Sequence, residues 1–451
     1  MINFDKINEF STSYDINNHY LRFAHNHLYY KDIEIVGREN IPPRGTPTLV
    51  ISNHQNGLMD ALAILYLFDD HRQPVFIARG DIFRKDFVAK ILRYLKILPA
   101  FRSRDGGRDD VKRNLDFMEL EARILNEGGT LAMFPEAGHQ AGHFMSTFKK
   151  GFPRIAFKAE EVADYQLGLQ ILPLNIHYSD YFNFRGRLLV NVGKPFDIKE
   201  LTELYKIEPN NAFIALNEKA RAAIKSMTLD IEDREHYDEY DLLRSMWHTP
   251  LNVLGKKTRT PLYEQEREDM AIVQQLDTMK DTEPERFAAL MAATREYNDT
   301  LRALNLRDWL INYDIKLKKL IFKALLLIIL FPIYLFGFLN NIIPFKLPEP
   351  LKKKMNDKMF SSSVNFALSV IVTFPLWYLL LFAAAWAVSG RFLIAVAYII
   401  ATFCSLFFFY QYKKWLIKWW AAFRYWKMDK SDNKLLRRIK ELKRDTIQYR
   451  N

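Results

Sequence analysis

A single cysteine, Cys404, stands among 451 residues, and it lies inside an apolar run. No disulfide framework can form within the chain, which fits a reducing compartment. The opening residues, MINFDKINEF, carry neither a basic start nor an apolar stretch behind it, so a secretory leader is not expected there. Zinc-finger spacing, a basic region with heptads and an RNP-type aromatic motif are also missing, which argues against nucleic acid as a partner. The HExxH order is absent too. His139 and His143 lie four apart with Glu136 nearby, but Gly138 and Gly142 interrupt any helix there, and we assign no metal ligands.

Charge and apolar length are what the chain has in quantity. Lys and Arg number 64 against 53 Asp and Glu, a net charge of +11, so an anionic partner is expected. Phosphate-bearing small molecules and anionic lipid surfaces suit it best. Hydrophobic residues make up 49% and aromatics 14%, and much of the aromatic excess falls after residue 320. Residues 324–343, 366–388 and 392–411 are each about 20 residues of mostly apolar sequence, the length a bilayer core requires. Ser389, Gly390 and Arg391 join the last two as a tight hairpin. The first contains Pro332, Asn340 and Asn341 and has lysines on both flanks, Lys316 to Lys323 before and Lys352 to Lys354 after. Positive flanks prefer the cytoplasmic side, so a re-entrant or in-plane first segment plus a spanning hairpin satisfies the pattern, whereas three full spans do not. Trp415, Trp419, Trp420 and Trp426 among lysines suit an interfacial anchor, and the last 20 residues read as a solvated or surface-bound helix.

The earlier part alternates. Residues 14–30 form a short helix with an aromatic side, which either packs on a domain or lies in the lipid interface. Strands are expected at 33–36, 49–51, 75–78, 130–134, 171–176 and 188–192, with helices at 86–98 and 109–126. This is an α/β pattern over residues 33–197, and ligands in such sheets collect at strand ends. Residues 198–318 are charged and mostly helical, and read as a helical subdomain. The expected organisation is thus an N-terminal amphipathic helix (1–32), an α/β domain (33–197), the helical subdomain (198–318), a membrane region (319–411) and a basic, Trp-rich terminal part (412–451).

Chemistry concentrates where the strands end. The run Thr48 to Ile51 leads into Ser52, Asn53 and His54, and Asp60 follows in the first turn of a helix. A carboxylate that accepts the proton on one imidazole nitrogen leaves the other as a base able to deprotonate an alcohol. The structural alternative is ordinary helix capping by Asn, Ser and Asp. Downstream, Phe101 precedes Arg102 and Arg104, two forked donors suited to phosphate or simply a solvated loop. Glu136, after Pro135, could accept hydrogen bonds from a polyol, hold an arginine, or cap a helix. Lys149 and Lys150 add cations in a Gly-bounded loop, and Leu172-Pro173 forms an apolar strand end suited to an acyl chain or a core.

Asn53-His54…Asp60, Phe101-Arg102, Phe134-Pro135-Glu136 and Leu172-Pro173-Leu174, in this order, resemble the four blocks of the glycerolipid acyltransferase family over about residues 35–195. The resemblance implies an acyltransferase-type mixed sheet flanked by helices. It implies acyl transfer from acyl-CoA or acyl carrier protein, as co-substrate with no cofactor, to glycerol-3-phosphate or 1-acylglycerol-3-phosphate. His54 would be the general base and Asp60 its orienting partner. Arg102, with Arg104 and Lys149, would bind the acceptor's phosphate, and Glu136 would join the acceptor site. Arg79, Gly138 and Lys150 complete the candidate substrate-binding set, and backbone N–H groups of residues 55–58 are candidates for the oxyanion. The expected setting is integral to a membrane, with the catalytic domain on the cytoplasmic side. Two departures stand out. Five residues separate His54 from Asp60 where the family usually has four, as in the branch resembling microsomal glycerol-phosphate and dihydroxyacetone-phosphate acyltransferases. Ala137, Gly138 and His139 also follow Glu136 where Gly, a hydroxyl residue and Arg are usual. The competing readings are a non-catalytic membrane scaffold that only binds lipid, and an acyltransferase acting on another lysolipid or on dihydroxyacetone phosphate.

Overall fold

Short aliphatic runs with no polar interruption fold as strands buried on both faces, and those of this chain assemble into one sheet. A computed structural model describes residues 3–101, 108–138, 142–248, 260–311, 315–355, 360–431 and 433–450. The chain divides into two compact units, one comprising Met1–Asp230, Pro261–Glu266 and Met355–Phe366, the other Ile231–Thr260, Arg267–Lys354 and Ala367–Asn451.

The first unit is built on a seven-stranded sheet. Its strands are β1 (Asp32–Val36), β2 (Thr48–Ser52), β3 (Val75–Arg79), β4 (Ile97–Ala100), β5 (Thr130–Met133), β6 (Gln170–Tyr178) and β7 (Arg187–Val192). Their order is β1-β7-β6-β2-β5-β3-β4, and only the β6–β7 pair is antiparallel. Helices α1 (Thr12–Phe23), α2 (Leu58–Leu65), α3 (Asp86–Tyr94), α4 (Arg108–Asn126), α5 (Gly151–Val162) and α6 (Pro209–Lys225) accompany it. β2 lies between β5 and β6, and the chain leaving β5 crosses past β2 to enter β6. The connections leaving β2 and β5 therefore run in opposite directions, and in such sheets ligands collect at the carboxyl ends of the strands at that point.

Leu49, Ile51, Leu131, Phe152, Phe157 and Ile171 form the centre of the core. Three expectations differ from the structure here. The helix expected over 86–98 ends at Tyr94, and Ile97–Ala100 is an edge strand paired with β3, so sheet pairing overrides a short helical periodicity. α5, between the Lys149-Lys150 loop and β6, was not foreseen. The boundary at 197 also falls elsewhere: Ala212, Leu216, Ala220 and Ile224 of α6 are fully buried in the core of the sheet unit.

The second unit is helical. Helices α7 (Tyr237–Trp247), α8 (Leu262–Thr282, whose first residues belong to the sheet unit) and α9 (Pro284–Ala303) precede three long apolar ones. α10 (Leu317–Lys346), α11 (Phe374–Ser389) and α12 (Phe392–Lys430) lie within stretches long and apolar enough to cross a membrane. α12 runs unbroken through Gln411 into the basic, Trp-rich segment. α13 (Lys434–Gln448) is not merely solvated, because Leu436, Ile439 and Leu442 are buried against Tyr297, Leu301 and Leu310.

A polar joint ties the apolar helices together. Asn341 is fully buried; its amide donates to Gly337 O at 2.9 Å and Ser405 Oγ at 3.2 Å, and its oxygen accepts from Tyr378 Oη at 2.7 Å. Pro344 has no N–H for the carbonyl of Asn340, which instead accepts from Trp377 Nε1 at 2.7 Å. Replacing Asn341 with Val should lower the unfolding free energy of the detergent-solubilised chain by about 1 kcal/mol. A thermal denaturation midpoint equal to that of the wild type would contradict it.

Candidate active site

The residue after β2, Asn53, fastens the strand end to β6. Its side chain takes the N–H of Ile176 at 2.8 Å and donates to the Ile176 carbonyl at 3.0 Å, imitating a strand partner. His54 comes next, with its ring stacked on Phe134 at 4.0 Å between centroids. Its Nδ1 lies 2.8 Å from Asp60 Oδ2.

Asp60 is fully buried. Besides His54, it accepts the backbone N–H groups of Gln55 at 2.8 Å and Asn56 at 2.6 Å, and the Tyr178 hydroxyl at 2.6 Å. A desolvated carboxylate is tolerated only when donors surround it, as they do here. The longer His–Asp spacing is absorbed before the helix starts. Gly57 adopts φ 54°, ψ −124°, a conformation favouring glycine, and Met59 N–H closes onto Asn56 O at 3.0 Å. The extra residue thus widens the turn while Asp60 keeps its place in the first turn of α2.

Tyr178 had not been singled out in the sequence. Burial raises its hydroxyl's pKa well above the usual value, with the neighbouring Asp60 charge adding to the shift, so it stays a donor. Only its place at the carboxyl end of a strand adjoining β2 could have pointed to it.

Glu136 plays a part different from the one expected. Its Oε1 accepts the His54 N–H at 3.2 Å and its Oε2 the Ser146 N–H at 2.9 Å, so the carboxylate pins the two loops together instead of lying open to a polyol. Burial pushes it up to about 6, against the two amides and His54, which pull it down. Ala137, where the resemblance expects glycine, sits at φ 54° in the tight turn that sends Glu136 inward. Gly138 is exposed with open space around it.

The cations are dispersed. Arg79 ends β3, two strands from β2, and its fork faces Asp81, with Nε 3.2 Å from Oδ1, so the structure does not bring it to His54. Lys149 is held beside the Glu136 turn through its own N–H to Pro135 O at 2.8 Å, with its side chain exposed. Lys150 precedes α5 and points to Asn210, 3.5 Å away. Arg102, Arg104 and His139 lie outside the described residues. Phe101, the last described residue before the two arginines, is held in place: Asn114 of α4 grips its main chain on both sides, and its ring lies against Gly80. The expected oxyanion donors are largely taken, Gln55 and Asn56 by Asp60 and Leu58 by Ser363 Oγ at 3.1 Å.

The described residues thus bring a buried carboxylate and an imidazole together at the carboxyl edge of a mostly parallel sheet. Residues 32–177 match the family model described as Acyltransferase. Over 148 residues the chain is 26% identical to the 1-acyl-sn-glycerol-3-phosphate acyltransferase LPAT1, chloroplastic, of Arabidopsis thaliana, covering 33% of this chain and 36% of that one. Over 164 residues it is 27% identical to the 1-acyl-sn-glycerol-3-phosphate acyltransferase of Borreliella burgdorferi, covering 36% and 57%. The chain thus spans well under two thirds of the length of these relatives. The crystal structure of the 1-acyl-sn-glycerophosphate (LPA) acyltransferase PlsC of Thermotoga maritima is similar to 47% of this chain and 78% of its own, at 21% identity and a TM-score of 0.34. Residues 32–177 thus form an acyltransferase domain similar to those of the 1-acyl-sn-glycerol-3-phosphate acyltransferases.

Two measurements follow from this geometry. Tyr178→Phe deprives buried Asp60 of one donor, which should cost about 1–3 kcal/mol of stability, read from thermal denaturation against the wild type. For Glu136, folding raises the pKa, so between pH 4.5 and about 6 the folded chain holds a proton that the unfolded chain has released. Its contribution therefore declines as pH rises through that window, by ~2 kcal/mol in all. Denaturation midpoints from pH 4.5 to 7 should show this slope in the wild type and not in Glu136→Gln.

Proposed function

We propose that the chain is a membrane-bound O-acyltransferase that moves a fatty acyl group from a thioester of CoA or acyl carrier protein to the hydroxyl of glycerol-3-phosphate or 1-acylglycerol-3-phosphate. The observation that carries this reading is the 2.8 Å contact between His54 Nδ1 and the buried Asp60 carboxylate. With Nδ1–H fixed on Asp60, Nε2 is the nitrogen that takes the hydroxyl proton as that oxygen attacks the thioester carbonyl. The tetrahedral adduct collapses, the C–S bond breaks, and the imidazolium returns its proton to the leaving sulfur. Asp60 stabilises the transient cation without itself being protonated.

Lys149, held beside the Glu136 turn, and Arg102 and Arg104, which follow Phe101 in the chain, are the cations we assign to the acceptor's phosphate. The lysines flanking residues 324–343 and the basic stretch after Gln411 support a reading with the catalytic domain on the cytoplasmic side, the first apolar segment re-entrant and the hairpin spanning. A bilayer setting suits the chemistry, because the acyl tail of the donor and the lipid product both partition into it.

Membranes carrying the full chain, given a labelled acyl donor and each acceptor in turn, should form the corresponding acylated glycerophosphate. His54→Ala should reduce transfer by on the order of 10³-fold while the fold is retained. Undiminished transfer by that variant would overturn the proton-transfer assignment.

A further inference from the structure

Gly57 occupies the N-cap position of α2 but has no side chain with which to cap it, and no capping hydrogen bond comes from within the segment. A helix start leaves its first N–H groups without intrahelical partners, and a local Ser, Thr, Asn or Asp normally takes one of them. Here the hydroxyl comes from 305 residues downstream: Ser363 Oγ accepts the Leu58 N–H at 3.1 Å. The neighbouring residues hold that hydroxyl in place. The carbonyl of Tyr181 accepts both Asn56 Nδ2, at 3.1 Å, and the Ser362 hydroxyl, while the Tyr29 hydroxyl donates to the Ser362 carbonyl at 3.5 Å. Phe366 is fully buried against the rings of His25 and Tyr29. The fit extends to Gly57 itself, since a Cβ there would lie 3.2 Å from both the Phe360 ring and Ser363 Oγ. Met355–Phe366 belong to the same compact unit as the sheet.

We infer that Ser363 is a positioning residue for the His54–Asp60 pair, capping α2 from a distant part of the chain. The inference rests on the reading of His54 as the proton acceptor. Asp60 stands two residues after Leu58, and its Oδ2 serves His54, Gln55 and Asn56 at once, so the angle at which α2 begins sets how the carboxylate meets the imidazole. With the Leu58 N–H uncapped, the first turn loosens and carries Asp60 with it. The imidazole is then held less firmly, while groups that bind donor and acceptor elsewhere are unaffected.

The test uses the full chain in membranes, with Ser363→Ala, Ser363→Thr and Ser363→Val. Ser363→Ala should lower kcat about tenfold and leave both KM values within twofold, the loss of a cap appearing in the reacting geometry. Ser363→Thr, which keeps the hydroxyl, should recover most of kcat, whereas the similarly shaped Ser363→Val should not. A second readout needs no turnover: the pH dependence of diethyl pyrocarbonate modification at His54, followed by peptide mass spectrometry, should shift in the Ala variant and return in the Thr variant. An unchanged kcat in Ser363→Ala, equal activity of the Thr and Val variants, or an unmoved His54 profile would overturn the inference. If Ser363→Ala does not fold, the Thr and Val pair decides. If His54→Ala still transfers acyl groups, the catalytic reading falls, and the modification profile alone decides whether Ser363 positions the imidazole.

Discussion

One carboxylate governs the chemistry of this chain. Asp60 is removed from water and lies within reach of four donors: an imidazole, two backbone amides and a tyrosine hydroxyl. Stripping a charge of its hydration is expensive, and the expense is met only if every donor keeps its direction. The demand reaches outward from there. It fixes the path of Gln55 and Asn56, the strand end that delivers Tyr178, and the pitch at which α2 begins. The imidazole is one of the four partners, so the elements that satisfy the charge also fix the direction of the His54 ring, the group to which the proposed function assigns proton transfer.

The sheet makes this arrangement possible by bringing three strand ends to one place. β2 delivers His54, β5 delivers Phe134 and Glu136, and β6 delivers Tyr178. The three strand ends are far apart in the chain and meet through pairing registers such as Ile51 with Met133 and with Pro173. Glu136 then serves as a rivet. By taking one amide from the His54 loop and one from Ser146, it fixes the spacing of two loops that the strands alone would leave loosely related.

Much of this was legible in the residues, and what was not shares a physical cause. Strand periodicity and the short separation of His54 from Asp60 located the pair, because both are local properties. The apolar helices were equally plain, since their length and composition speak without context. Ile97–Ala100 was misread because four residues cannot display a period, and only pairing with β3 makes them a strand. Glu136 was expected to face a ligand because a sequence shows that a carboxylate is present but not which amides turn toward it. Tyr178, α6 and Ser363 escaped notice because each acts across long chain separations. Ala137 is instructive in another way. The departure from the family pattern falls on a residue with φ 54°, so the turn is kept by strain where glycine would adopt it freely.

The discontinuity of the sheet unit bears on how the protein is made. Its residues come from Met1–Asp230, Pro261–Glu266 and Met355–Phe366, with more than a hundred residues of helical and apolar chain in between. During synthesis the strands can pair long before the last segment leaves the ribosome, so a nascent sheet lacking Phe366 waits while helical chain and the first long apolar helix emerge behind it. The hydroxyl that caps α2 belongs to the last segment of the sheet unit, so the start of α2 gains its cap only after the first long apolar helix has been synthesised.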